Sequence, residues 1–192
     1  MTDYTGVPLT DIVDHLRQWS EETGKAIATL NRQRGVVAQE RTRFEFPGDI
    51  LRYIDYFVDL FTRYQGDIDR VLVEISAGVR EAHIEILGQI LHSSDHAETR
   101  CLAFKRDHIT HRLRDEQARP DLDKIYSETR SMLTDFHDLS NVIPRLKTYV
   151  GLASTVLPEV LQLKPGLWGV SIDLKETARR LRKWWQLIVK TH

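Results

Sequence analysis

Eight histidines and one cysteine are the side chains of this sequence best suited to metal binding or proton transfer. His92 and His96 lie four residues apart, a spacing that puts two imidazoles over one metal ion when a helix runs between them. Ser93-Ser94-Asp95 occupies that interval and reads as an interruption, with Asp95 and Glu98 forming a capping box for a new helix. His108 and His111 are three apart, and Asp107 stands four before His111. One helical face would then offer two imidazoles and a carboxylate. Metal centres in helical bundles draw further ligands from facing helices. The di-iron pair, a Glu three residues before a His, occurs nowhere in the chain. The leading expectation is therefore surface or helix-edge histidines. A metal site on His92, His96, His108 and His111 is the alternative, because it needs several ligands to converge. His83 falls on the apolar side of its helix and reads as a core or interface histidine that can titrate near neutrality.

Cys101, Phe104, His108 and His111 follow three-four-three spacing and share a face. A nucleophilic Cys–His pair needs thiol and imidazole within hydrogen-bond reach. Cys101 and His108 stand seven residues apart, about 10 Å along a helix, so they cannot pair on one helix. The thiol reads as a small buried hydrophobe. No Gly-x-x-x-x-Gly-Lys-Ser/Thr loop, Gly-x-Gly-x-x-Gly or Gly-x-Ser-x-Gly elbow is present. The carboxylates are many, and none stands out as a pair. The sequence implies no catalytic residues and no cofactor.

The C-terminal stretch carries the strongest interaction signal. Between Asp173 and His192, Lys175, Arg179, Arg180, Arg182, Lys183 and Lys190 face only Asp173 and Glu176. Those six cations and two carboxylates give a local charge of +4 and leave −5 for the rest of the chain. Leu174, Ala178, Leu181, Trp185 and Ile188 mark an apolar face, broadened by Trp184, Leu187 and Val189. A basic amphipathic helix with tryptophans can close its own bundle, enter a partner's groove, or lie on an anionic membrane surface. The expected partner-binding residues are Trp168, Arg179, Arg180, Arg182, Lys183, Trp184 and Trp185. Tryptophan supplies buried area, and the cations supply orientation. A second basic cluster, Arg32, Arg34, Arg41 and Arg43, is diluted by Glu40 and Glu45 and reads as solvated surface.

The elements that would position these groups are helical. From Leu122 to Leu161, Leu122, Ile125, Thr129, Met132, Phe136, Leu139, Ile143, Leu146, Val150, Ala153, Leu157 and Val160 recur at alternating three- and four-residue steps. That is a seam along one helical side, and its length demands other helices against it. Ser140-Asn141 before Pro144 marks a kink or a break. Thr10 or Asp11 caps a first helix carrying Ile12, Leu16, Trp19, Ile27 and Leu30, which should end near Gly35. Asp49 caps a second, which ends at Gly66. A third then runs from Asp67 through Ile68, Leu72, Ile75, Val79, Ala82, Ile86 and Ile90. Arg70–Ile75 also fits a strand ending at Ala77-Gly78, but helical spacing persists for five turns. A fourth follows Asp95 to about Glu116, and the seam helix starts at Pro120-Asp121.

The bulk numbers agree with this picture. The chain has 192 residues, 41% hydrophobic and 29% charged, with a formal net charge of −1. It is long enough for one well-buried core and argues against a dedicated nucleic-acid binder. One cysteine excludes an internal disulfide. Neither a signal-peptide pattern nor a run of about 20 apolar residues is present, and the expected location is cytoplasmic. The expected fold is an all-α bundle of five to seven long amphipathic, coiled-coil-like helices. Its domain covers 1–164, followed by a loop and basic helix over 165–192. The expected function is non-enzymatic: a helical regulatory subunit that binds a protein partner or itself. A metal-dependent bundle enzyme and a membrane-surface effector are the alternatives.

Overall fold

A computed structural model describes residues 8–110 and 116–151. Within them the fold is all-α: α1 (Leu9–Gln39), α2 (Pro47–Glu74), α3 (Glu81–Phe104), α4 (Arg119–His137) and α5 (Leu139–Lys147). The four long helices close into a ring of neighbours, α1 against α2, α2 against α3, α3 against α4, and α4 against α1. Each successive pair is antiparallel. Ser20 bonds Asp69 at 2.6 Å while Arg34 meets Asp55 at 2.5 Å. Tyr64 bonds Ser93 while Tyr53 stacks on Phe104. Arg130 pairs with Glu98 while His137 lies near Asp95.

The core is organised by α2. Tyr53, Phe57, Phe61 and Tyr64 recur at steps of four, four and three, which stacks them along one face. Phe57 and Phe61 rings are 5.6 Å apart, and Phe136 of α4 sits 6.1 Å from Phe61 and 5.1 Å from Tyr64, edge-on. These four rings are almost wholly buried except at Tyr53.

Several expected boundaries move, mostly because the apolar spacing outruns a local breaker. α1 passes Gly35 to Gln39, and Pro8 stands at its cap, so Thr10 and Asp11 fall in its first turn. Asp49 likewise lies in the first turn of α2, behind Pro47. Gly66 ends nothing: Phe61, Tyr64, Ile68, Val71 and Ile75 carry the buried stripe straight through it. The third expected helix is instead split at Gly78, whose φ of 117° suits no other residue type well. The register shifts across the split, so Ala82 is exposed while His83, Ile84 and Leu87 are buried. Arg70–Glu74 is helix and not strand. Val79 alone makes a parallel bridge, to Val150, which clasps the α2–α3 turn to the chain after α5.

Ser93-Ser94-Asp95 does not interrupt α3. The two serine hydroxyls donate to the carbonyls of Gln89 and Leu91 inside the helix, so they compete with no backbone bond. After Phe104 the helix widens into a π-helical turn, Lys105–Thr110. The seam buries Leu122, Ile125, Thr129, Met132, Phe136 and Leu139 as spaced. The chain then turns at Asp138, so that Val142 and not Ile143 takes the next buried place before Leu146. Pro144 lies inside α5 and forfeits the bond to the Ser140 carbonyl. The rest of the seam, from Leu152 on, lies outside the described residues. No helix among the described residues is long and apolar enough to cross a membrane.

The two glycines predict opposite responses. Gly66 is exposed in a helix interior, and a methyl group there meets open space. Gly66→Ala should raise stability by about 0.5–1 kcal/mol. Gly78→Ala should lower it by about 1–3 kcal/mol, because only glycine tolerates that backbone region. Urea unfolding midpoints of the two variants test the pair.

Candidate functional site

A groove of about 840 Å³ lies between α1 and the α4–α5 pair. Its α1 wall is His15, Gln18, Trp19, Glu22 and Lys25, which share one side of the helix with Trp19 in the buried stripe. Its other wall runs from Ser127 and Glu128 through Asp135 and Asp138 to Arg145. Trp19, Met132 and Val142 form the floor and are themselves 7%, 4% and 6% exposed. Little of their apolar surface is left open, and charged and polar side chains make up most of the lining.

That charge is crowded. Burial, then Glu22, then Asp138 push the Asp135 carboxyl above its ordinary range. Glu22 accepts a bond from Gln18 at 2.8 Å. Among the described residues Asp135, Asp138 and Glu128 enter no ion pair. Lys25 and Arg145 are the Lys and Arg cations on the walls. Neither the composition nor any single motif points to this cluster. Glu22 and Asp135 lie far apart in sequence, and only the α1–α4 packing brings them together. The three- and four-residue spacing of Glu128, Ser131, Asp135 and Asp138 beside the seam is the one sequence signal that marks half of it.

The histidines fall into separate places. Because α3 is continuous, His92 and His96 share an exposed face, with rings 4.6 Å apart and edge-on. His96 Nδ1 is 2.9 Å from the His92 carbonyl oxygen. His108 lies in the π-helical turn with its ring 5.0 Å from Phe104. Sixteen residues of helix, about 24 Å, separate it from His92, so the pairs do not converge. His111 lies outside the described residues. Among the described residues no group of three or more His, Cys, Asp or Glu side chains is placed to hold a metal ion.

His83 is fully buried, as its position on the apolar side predicts. Its Nδ1 accepts from the Arg80 backbone N–H at 3.3 Å, and that assigns the proton to Nε2, 3.3 Å from Glu74 Oε2. It thus caps α3 and ties it to the end of α2. Cys101 is also fully buried, and burial pushes its thiol up. Its neighbour Tyr53 has a hydroxyl held far above its usual range, first by burial, beside Cys101 and Thr129 but without a well-formed hydrogen bond. Neither group is poised as a nucleophile or base. His137 Nε2 lies 2.9 Å from Asp95 and 3.7 Å from Glu98, off the hydrogen-bond axis. In the basic cluster, Arg34 and Arg43 serve as internal ties. Arg43 reaches Glu40, Asp121 and the Gln117 carbonyl, joining the α1–α2 connection to the start of α4.

The expected partner-binding residues, Trp168, Arg179, Arg180, Arg182, Lys183, Trp184 and Trp185, lie outside the described residues. No family model, curated protein or solved structure matches the chain.

Asp135 predicts a pH effect. Its folded value is raised above the ordinary 3.8, so between the two values the native chain holds the proton more tightly than the unfolded chain. Stability from this group is therefore present below 3.8 and lost as pH rises through the raised value. Asp135→Asn should increase the thermal midpoint at pH 7, and the gain should shrink towards zero as pH falls below 3.8. Calorimetry of both proteins across that range checks it.

Proposed function

We propose that this protein is a non-enzymatic interaction subunit that binds a protein partner, or itself, through helical surfaces. The observation that carries this reading is the charge-lined groove between α1 and α4–α5. It sets the half-buried Asp135 beside Glu22 and Asp138, which with burial raise its carboxyl above the ordinary range. Uncompensated charge of this kind suits a surface that meets an oppositely charged partner. The sequence supplies the second element, the tryptophan-bearing basic stretch over 173–192. Trp184 and Trp185 would bring buried area, and Arg179, Arg180, Arg182 and Lys183 would orient the contact. The coiled-coil-like, oligomeric and cytoplasmic character of the protein belongs to the same proposal.

Trp184→Ala with Trp185→Ala in the full chain should weaken association more than about 30-fold while leaving helicity nearly unchanged, as for the loss of interface anchors. Light scattering and circular dichroism measure the two quantities. Unfolding of the double variant would assign the segment to the protein's own core and end this reading.

A metal-binding reading rests on one specific observation, the exposed His92–His96 pair on an unbroken helix. Two imidazoles at this spacing suit a divalent transition metal completed by ligands from elsewhere. Stoichiometric metal in the purified protein, lost in His92→Ala with His96→Ala, is the result this reading requires. Metal content unchanged by that substitution would remove it.

A further inference from the structure

We infer that the groove between α1 and α4–α5 receives the basic segment of residues 173–192 from a second copy of this chain. The inference rests on the interaction reading above and names its partner.

Three properties of the groove select the occupant. The first is shape. Its α1 wall extends from His15 to Lys25, about 15 Å or three helical turns, which suits an extended or helical segment lying along it. The second is the balance of forces. Trp19, Met132 and Val142 are already nearly covered by the protein's own packing. An apolar helix face would gain little there, whereas cations would meet Glu22, Glu128, Asp135 and Asp138 against only Lys25 and Arg145. The third is the state of those carboxylates. Asp135 is raised by its burial and by Glu22 and Asp138. A cation placed between them relieves that repulsion as well as adding attraction.

The complementary charge is on the same chain. Residues 173–192 carry +4 and the remainder −5. Lys175, Arg179, Arg182 and Lys183 are spaced four, three and one apart, so on a helix they would form one cationic stripe facing the carboxylates. Two copies that exchange these segments make the same contact twice. The assembly then closes as a symmetric dimer and does not run on as a filament.

The test uses the full chain and its charge variants in light scattering over a concentration series, with circular dichroism to confirm folding. A concentration-dependent dimer is expected, and it should dissociate with added salt as screening shortens the reach of the contact. Reversing the groove, Glu22→Lys with Asp135→Lys, should raise the dimer Kd about 10- to 100-fold. Reversing the segment, Arg179→Glu with Arg182→Glu, should do the same. A chain carrying all four substitutions should recover the dimer. If the groove reversal does not fold, Glu22→Gln with Asp135→Asn supplies the neutral version and should weaken the dimer by a smaller factor. A wild-type monomer at every concentration overturns the inference. So does a dimer indifferent to the groove substitutions; if that dimer still falls apart in the tryptophan variant, the interaction reading survives and only the groove assignment fails.

Discussion

The aromatic ridge of α2 is the interaction on which the other contacts depend. Phe57, Phe61 and Tyr64 are buried on one face, and Phe136 of α4 packs against Phe61 and Tyr64. A fully buried phenylalanine contributes about 1.5–3 kcal/mol. Ordering one backbone residue costs about 1–2 kcal/mol. One such ring therefore offsets the ordering of roughly one or two residues, and α2 buries apolar side chains turn after turn along its 28 residues. Tyr53 extends the ridge to Phe104 and Cys101, so one end of α3 is held by the same row of rings.

Around this core the polar contacts set register more than stability. Ser20 with Asp69, Gln65 with the Ser20 carbonyl, and Arg34 with Asp55 fix how α1 lies on α2. His83 joins the ends of α2 and α3 across Gly78, and the Val79–Val150 bridge holds the same turn from the side of α5. Exposed ion pairs contribute about 0–1 kcal/mol each, so their value here is in selecting one alignment. The groove is different in kind. It gathers Glu22, Asp135 and Asp138, and burial together with those neighbours raises the Asp135 carboxyl above its ordinary range. That arrangement, and not the histidine pair on α3, is why the proposed contact is placed at this groove.

Most of the helical character was legible from apolar spacing alone. The seam from Leu122 to Leu139 is buried residue for residue. What misled was the local punctuation. Gly35, Gly66 and Ser93-Ser94 each resemble a helix end, yet each costs at most about 1 kcal/mol in a helix interior, less than one buried aromatic side chain returns. Gly78 breaks the helix where the others do not, because its φ of 117° is imposed by the turn between α2 and α3.

By itself the sequence determined the class of fold, the buried face of the helices wherever no break shifts the register, and the separation of charge between the body and the C-terminal stretch. Those properties are set by the periodicity and type of residues close together in the chain, and a helix repeats every 3.6 residues whatever surrounds it. The tertiary structure decided which helix faces which and where the breaks fall. It also decided that His92 and His96 share a face apart from His108, and that Glu22 stands against Asp135. These depend on pairs of residues distant in sequence, whose meeting is fixed by packing around the α2 ridge and leaves no mark in local spacing.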